Sequence, residues 1–272
     1  MNRILCSTGA LIGRPNGRNY HLLKECVDNI DCDGFEFMLY DDKYDQIDEI
    51  AELLNSLKKP FPVFHIEKGV GDLVSRNEPG DTELACKMFE INCDLAKRVG
   101  SEKLVIHLWS GMDSDKDFPH NVEMYRVLRE TAERYGLLLT VENVVCNVAD
   151  PMTHLKELIA LFSDVAFTFD TKMAEFHGQL QELYLPENRY VFDHVVHMHI
   201  NDYKGAVKDW SCLKTLHAGD GQIDFERLFD FIKETGYQGD FTIESTSFDK
   251  ATGVIDCDKM NSTIAKIRGL LK

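Results

Sequence analysis

Short runs of apolar and β-branched residues punctuate the chain: Ile4–Ser7, Gly34–Leu39, Pro62–Ile66, Lys103–Leu108, Leu137–Glu142, Val165–Asp170, Val195–Ile200 and Asp240–Glu244. Within most of them the apolar character is nearly continuous rather than alternating, as expected of parallel strands buried on both faces. The stretches between them change period. Ile47, Ile50, Ala51, Leu54 and Leu57 fall on one helical face, and so do Leu84, Met88, Ile91, Leu95 and Val99. Leu228, Phe231 and Ile232 mark a further helix, with Asp224 placed to cap its start and Gly236 just past its end.

Strand then helix, eight times over, leaves few topologies open. A doubly wound open sheet is one, but no Gly-rich dinucleotide turn follows any of the runs. Eight similar units favour an α/β fold closed into a (β/α)8 TIM barrel, which fills about 250 residues as one unit. The chain has 272 residues. No Pro-rich linker or shift in composition divides it, so residues 1–272 are expected to form a single domain.

Composition adds three exclusions. No apolar stretch approaches the roughly 20 residues that cross a bilayer. Met1 to Ile12 reads as a first strand and its loop rather than a signal peptide, because Gly13, Arg14 and Pro15 cut the apolar run short. A cytoplasmic protein without a membrane partner is expected. The 46 acidic residues outweigh 30 basic ones for a formal charge of −16. That disfavours nucleic acid, whose affinity comes from counterion release at a basic surface. A small anionic ligand needs only a few local cations and stays open. The eight cysteines contain no C-x-x-C pair, so they read as reduced core thiols rather than a zinc ribbon or redox pair. Cys86 and Cys93, seven residues apart, are expected on one helical face.

Barrel chemistry sits where strands end and loops begin. The third run ends Phe64-His65-Ile66, the fourth Ile106-His107-Leu108-Trp109, the fifth Val141-Glu142-Asn143 and the sixth Phe169-Asp170-Thr171. The seventh reads His197-Met198-His199-Ile200-Asn201-Asp202, and the eighth ends Ile243-Glu244-Ser245. Taken singly, each has a bland explanation: a hydrogen-bonded histidine, or a carboxylate capping the next helix as Asp170 would. Glu142 and Glu244 resist that reading, since an unpaired carboxylate inside a barrel mouth costs several kcal/mol, roughly, unless ligated or protonated. Three carboxylates crowded with one imidazole point to a divalent cation held by Glu142, Asp170, His199 and Glu244. The oxygen-rich set suits Mn²⁺ or Mg²⁺, with Co²⁺ and Zn²⁺ as alternatives. His199 is preferred to His197 because both share a face and His199 is nearer the rim.

These endings, with Gly219-Asp220-Gly221-Gln222-Ile223-Asp224 between the last two, resemble the xylose-isomerase-like barrel superfamily of sugar-phosphate isomerases and epimerases, ketose 3-epimerases, hydroxypyruvate isomerase, inosose dehydratase and endonuclease IV. The resemblance runs over essentially the whole chain and is most specific from Glu142 to Glu244. It implies that Glu142, Asp170, His199 and Glu244 bind the metal, and that the two glutamates exchange protons with substrate. It further implies that His65 and His107 bind substrate, or further metals in the endonuclease branch. Met173 stands where endonuclease IV and the ketose 3-epimerases carry a His. The Asp-x-His metal pair of endonuclease IV has no counterpart beyond the isolated Asp209 and His217. The Arg that ketose 3-epimerases carry before the Gly-x-Gly turn is absent too. What remains is a sugar, sugar-phosphate or sugar-acid isomerase or epimerase.

Such an enzyme of carbohydrate metabolism would acidify the C–H next to a ketose or aldose carbonyl and pass through an enediolate, with Glu142 and Glu244 as acid and base. Trp109 is a candidate wall for the sugar ring. Lys68, Arg76, Lys172 and Lys204 lie in rim loops, with Lys172 and Lys204 the candidates to hold a phosphate or carboxylate. A polyol-ketone dehydratase, a repair nuclease and a non-catalytic sugar-binding barrel are the rival readings. The residues alone leave substrate and oligomeric state open, a homo-oligomer included.

Overall fold

The computed structural model describes residues 2–272. The apolar runs become eight parallel strands, each paired with the next until the last closes onto the first. They are β1 (Ile4–Ser7), β2 (Gly34–Met38), β3 (Val63–His65), β4 (Lys103–Ile106), β5 (Leu138–Glu142), β6 (Ala166–Asp170), β7 (Val195–Ile200) and β8 (Asp240–Ile243). Around them lie α1 (Ile47–Ser56), α2 (Gly69–Arg76), α3 (Asp81–Arg98), α4 (Phe118–Tyr135), α5 (Pro151–Leu161), α6 (Thr171–Phe176), α7 (Phe225–Thr235) and α8 (Cys257–Leu270). The link from β1 to β2 is made of short 3-10 turns and one helical turn, Leu23–Cys26, in place of a full helix. The whole is one (β/α)8 TIM barrel domain.

Helix ends follow local chemistry. Asp224 caps α7 by accepting the Arg227 amide at 3.0 Å, and Gly236 ends it in the left-handed conformation at φ 69°. The face of α3 differs from the one its aliphatic residues predict. Ala85, Phe89, Asn92, Cys93, Leu95 and Ala96 are buried, while Leu84 is 47% exposed and Met88 and Ile91 are half-buried. Two alanines let the helix approach closely, Phe89 fills the gap, and Asn92 fixes the rotation. Its Oδ1 accepts the Glu67 amide at 3.0 Å and its Nδ2 donates to Tyr44 Oη at 2.9 Å. A satisfied amide is as much at home in the core as a leucine. Cys93 is therefore buried and Cys86 only partly so, and all eight thiols are free. No helix among the described residues is long and apolar enough to cross a membrane.

Alternate residues of each strand point into the barrel, and they change character from bottom to top. At the bottom Asp240 of β8 accepts Arg3 Nε at 2.9 Å and Lys103 Nζ, at the start of β4, at 2.6 Å. Above this latch Leu5, Val63 and Val105 form a fully buried apolar cluster. Above that come Glu36, Thr140, Thr168, His197 and Thr242, all with no exposure. Thr140 and Thr168 share a hydrogen bond of 2.7 Å. The register of β6 against β7 slips between Phe167 and Thr168. This bulge takes up Val196 as an extra residue and brings His197 level with Thr168 and His199 level with Asp170.

Candidate active site

The strand ends deliver their polar residues to one place. His65 closes β3, Glu142 and Asp170 close β5 and β6, His199 is the penultimate residue of β7, and His107 and Glu244 lie one residue past β4 and β8. Oε1 of Glu142 and Oε2 of Glu244 each lie 3.4 Å from His199 Nδ1. Glu142, Asp170 and His199 each offer a ligand atom within 4.8 Å of the others. On the other side of Glu142, Oε2 is 2.9 Å from His107 Nε2 and 3.6 Å from His65 Nε2.

The residues flanking Asp170 and Glu244 hold them in place. Asp170 Oδ1 caps α6 by accepting the Met173 amide at 3.0 Å, which leaves Oδ2 for the site. Asn201 Nδ2 donates to Asp170 Oδ2 at 2.9 Å and to Glu244 Oε2 at 3.1 Å. Asn143 joins the ends of β5 and β6, accepting the Asp170 amide at 2.6 Å and donating to its carbonyl at 3.1 Å. Asp202 organises the Gly-x-Gly turn. Its buried carboxylate accepts the amides of Tyr203, Gly219, Gly221 and Ile223 at 2.8 to 3.0 Å. A Cβ on residue 221 would run into that carboxylate, so the second glycine is a steric necessity.

Charge is tightly coupled here. Burial pushes the Glu142 carboxyl up, but His107 and His199 outweigh it and hold it well below the usual carboxylate range. Asp170 goes the other way: burial raises it, and Glu142 and Glu244 add to the rise against the opposing Lys172. Burial lowers His107 to about 4, against the pull of Glu142, so it is neutral at pH 7. Lys172 is buried with its ammonium 3.8 Å from Asp170 Oδ2. Burial disfavours that charge, yet Asp170, Glu244 and Glu142 raise its pKa above the usual lysine value.

The donor set fits a divalent cation. His199 Nδ1 is buried without a hydrogen-bond partner, the condition a metal would relieve. Three carboxylates and one imidazole can hold a hard or borderline divalent ion. A small cleft of about 160 Å³ opens over them, lined by His65, Lys68, His107, Lys172, Met173 and Glu244 among others. Met173 presents a thioether where the superfamily resemblance offers a His.

Other sequence candidates go elsewhere. Trp109 is fully buried, donates from Nε1 to the Val144 carbonyl at 2.7 Å, and packs on Phe118 and His154. It belongs to the core behind β4 and does not line the cleft. Lys204 is exposed and does not line it either. Arg76 is held by Asp81 through bonds of 2.8 and 2.6 Å. His217 is engaged by Thr263 Oγ1 at 2.7 Å and the Thr246 carbonyl at 3.0 Å, while half-buried Asp209 caps its own turn at Ser211. They form no ligand pair.

One residue escaped the reading of strand ends. Glu36, in the middle of β2, is fully buried 2.9 Å from His197 Nε2 and 3.1 Å from His199 Nε2. The signal was present: a carboxylate between Phe35 and Phe37 in an otherwise apolar strand.

The chain belongs to the xylose isomerase-like TIM barrel family, whose model matches residues 25–260. Among curated proteins it is similar to L-ribulose-5-phosphate 3-epimerase UlaE of Shigella flexneri serotype 5b, 36% identical over 77 residues. That match covers 27% of this chain and 25% of the relative, so only about a quarter of the curated protein's length is spanned. Among solved structures, D-allulose 3-epimerase from Methylomonas sp. shares the fold with a TM-score of 0.74 at 14% identity, over 98% of this chain and 96% of that one. A D-tagatose 3-epimerase-like protein superposes with a TM-score of 0.71 at 19% identity, over 99% and 97% of the two chains.

Proposed function

We propose that this protein is a divalent-metal-dependent isomerase or epimerase of a small sugar or sugar derivative. The observation that carries the reading is the meeting of Glu142 and Glu244 on one imidazole nitrogen of His199, with Asp170 alongside, beneath a small cleft. Glu142, Asp170, His199 and Glu244 would hold the ion, with Mn²⁺ or Mg²⁺ favoured by the oxygen-rich set. Its contribution would be Lewis-acid polarisation of the substrate carbonyl.

The protein's own residues supply the rest. One glutamate takes the proton from the carbon beside the carbonyl, giving an enediolate, and the other returns a proton. Return to the opposite face of the same carbon is epimerisation; return to the neighbouring carbon is isomerisation. Neutral His107 beside Glu142 orients that carboxylate, and with His65 it offers ring nitrogens to substrate hydroxyls. Lys172 and Lys68 offer cations to an anionic end. The family membership supports this reading, and the names of the relatives bring ketoses, and inversion at carbon 3, within it. The relatives also include a ketose-phosphate enzyme, which suits the two lysines.

The test is dialysis against a chelator, followed by a screen of ketoses, their phosphates and inososes with Mn²⁺, Co²⁺ or Mg²⁺ restored. Turnover that vanishes on stripping and returns with metal is the expected result. Full activity in the stripped protein would overturn the reading, and dehydration of an inosose would redirect it.

A further inference from the structure

We infer that Glu36 is a positioning residue that sets which nitrogen of His199 faces the metal site; the inference rests on the metal reading above. An imidazole has two ring nitrogens, and a neutral ring carries a proton on only one of them. His199 Nε2 lies 3.1 Å from one oxygen of Glu36 and 3.2 Å from the other. An ionised carboxylate only accepts, so Nε2 is the protonated nitrogen. In the neutral ring that a metal ligand requires, the lone pair therefore falls on Nδ1, on the side where Glu142 and Glu244 stand, and Nδ1 has no hydrogen-bond partner of its own.

Glu36 is itself held fast. Thr242 Oγ1 donates to its Oε2 at 2.7 Å, and His197 Nε2 lies 2.9 Å from the same oxygen. These partners come from β8 and β7, so a carboxylate on β2 reaches through the barrel interior to strands two and three places away. His197 is thereby assigned a part: it braces Glu36 from below, and its ring stands nearly perpendicular to that of His199 at 88°. Carboxylate, imidazole and metal site lie in series, the arrangement by which outer partners orient a metal-binding histidine and raise its basicity. A buried carboxylate that served only stability would be an expensive choice in a layer where Thr already suffices on β5 and β6, at Thr140 and Thr168.

The experiment measures binding of Mn²⁺ and Zn²⁺ to the stripped full-length protein by calorimetry, for the wild type, Glu36→Gln and Thr242→Val. Glu36→Gln is expected to bind about 10- to 100-fold more weakly, and Thr242→Val to fall between it and the wild type. Thermal melts report how much of each variant is folded. A wild type that binds neither ion removes the metal reading itself. A wild type that binds, with a folded Glu36→Gln of equal affinity, removes the inference and leaves the metal reading standing. A second measurement needs no variant: long-range ¹H–¹⁵N spectra of the Zn²⁺-loaded wild type. They should show His199 protonated at Nε2 and ligated at Nδ1. Ligation at Nε2 would overturn the proposal whatever the variants do.

Discussion

Glu142 and Glu244 each place one carboxylate oxygen 3.4 Å from the same atom, Nδ1 of His199, although they come from strands three places apart around the barrel. Two acids that converge from different sides on one point can address two faces of whatever binds there. With the accepted substrate in D2O, deuterium should enter the carbon next to the carbonyl. Glu142→Gln and Glu244→Gln should each abolish net epimerisation, because an amide neither takes nor gives the proton. A two-base epimerase predicts that one variant keeps exchange from a single face; a one-base isomerase predicts that one substitution removes exchange and turnover together. Metal content is measured alongside, since both side chains are candidate ligands. Near wild-type turnover in both metal-loaded variants would leave the glutamates without a chemical role.

Asp170→Asn exchanges a candidate ligand carboxylate for a neutral amide, while its Oδ1 can still cap α6. Metal affinity should fall by about 10-fold or more with little change in the metal-free melting temperature. Equilibrium dialysis with metal analysis checks the first and a melt in chelator the second. Unchanged affinity would remove Asp170 from the ligand set.

Lys172 is the buried cation of the cleft. If it holds an anionic group, Lys172→Met should raise KM for a phosphorylated or acidic substrate by roughly 10- to 100-fold, the worth of a hydrogen bond to a charged partner. The matching neutral sugar should be far less affected. Equal effects on both substrates would show that the lysine serves the carboxylates around it instead.

The latch at the bottom of the barrel gives a pH prediction. Burial pushes Asp240 up, but Arg3 and Lys103 outweigh it and hold it at about 2. A depressed folded-state pKa contributes stability that is present above the unfolded value of about 3.9 and lost as pH falls toward the folded value. Asp240→Asn should therefore cost about 1–2 kcal/mol near pH 7, allowing for solvent screening at this end. The gap from wild type should close as pH drops from about 5 toward 2. Urea midpoints across that range test it; a gap independent of pH would assign the loss to packing.

Trp109 gives a test in the opposite direction. Because its indole is fully buried against Phe118 and His154, Trp109→Phe should lower stability by roughly 1–3 kcal/mol through lost packing and an orphaned Val144 carbonyl. KM of the folded fraction should stay put. A raised KM at unchanged stability would return the indole to the substrate.

The sequence revealed the barrel because its strands are nearly uniform apolar runs, and the rim because a charged residue at the end of such a run has few other uses. Its silence about Glu36 has a physical cause. A pattern of strand ends carries no information on what lies a layer deeper, where one carboxylate gains its partners only from β7 and β8. Trp109 fails for the reverse reason: its place past the end of β4 suggested the mouth, but the chain turns there and carries the ring outward onto α4 and α5. Asn92 shows the same limit in a helix, since its burial depends on Tyr44 and the Glu67 amide rather than on its own polarity.

Leu5, Val63 and Val105 have a consequence for traffic. On β1 and β4 this apolar layer stands between a charged base and a charged mouth, with Leu5 between Arg3 and Ser7 and Val105 between Lys103 and His107. An apolar layer offers ions and protons no hydrogen-bonded path, so the barrel is open to them at the mouth and not at the floor. An ion or small molecule that reaches the strand ends therefore has to enter and leave through the mouth, past Lys68 and Lys172.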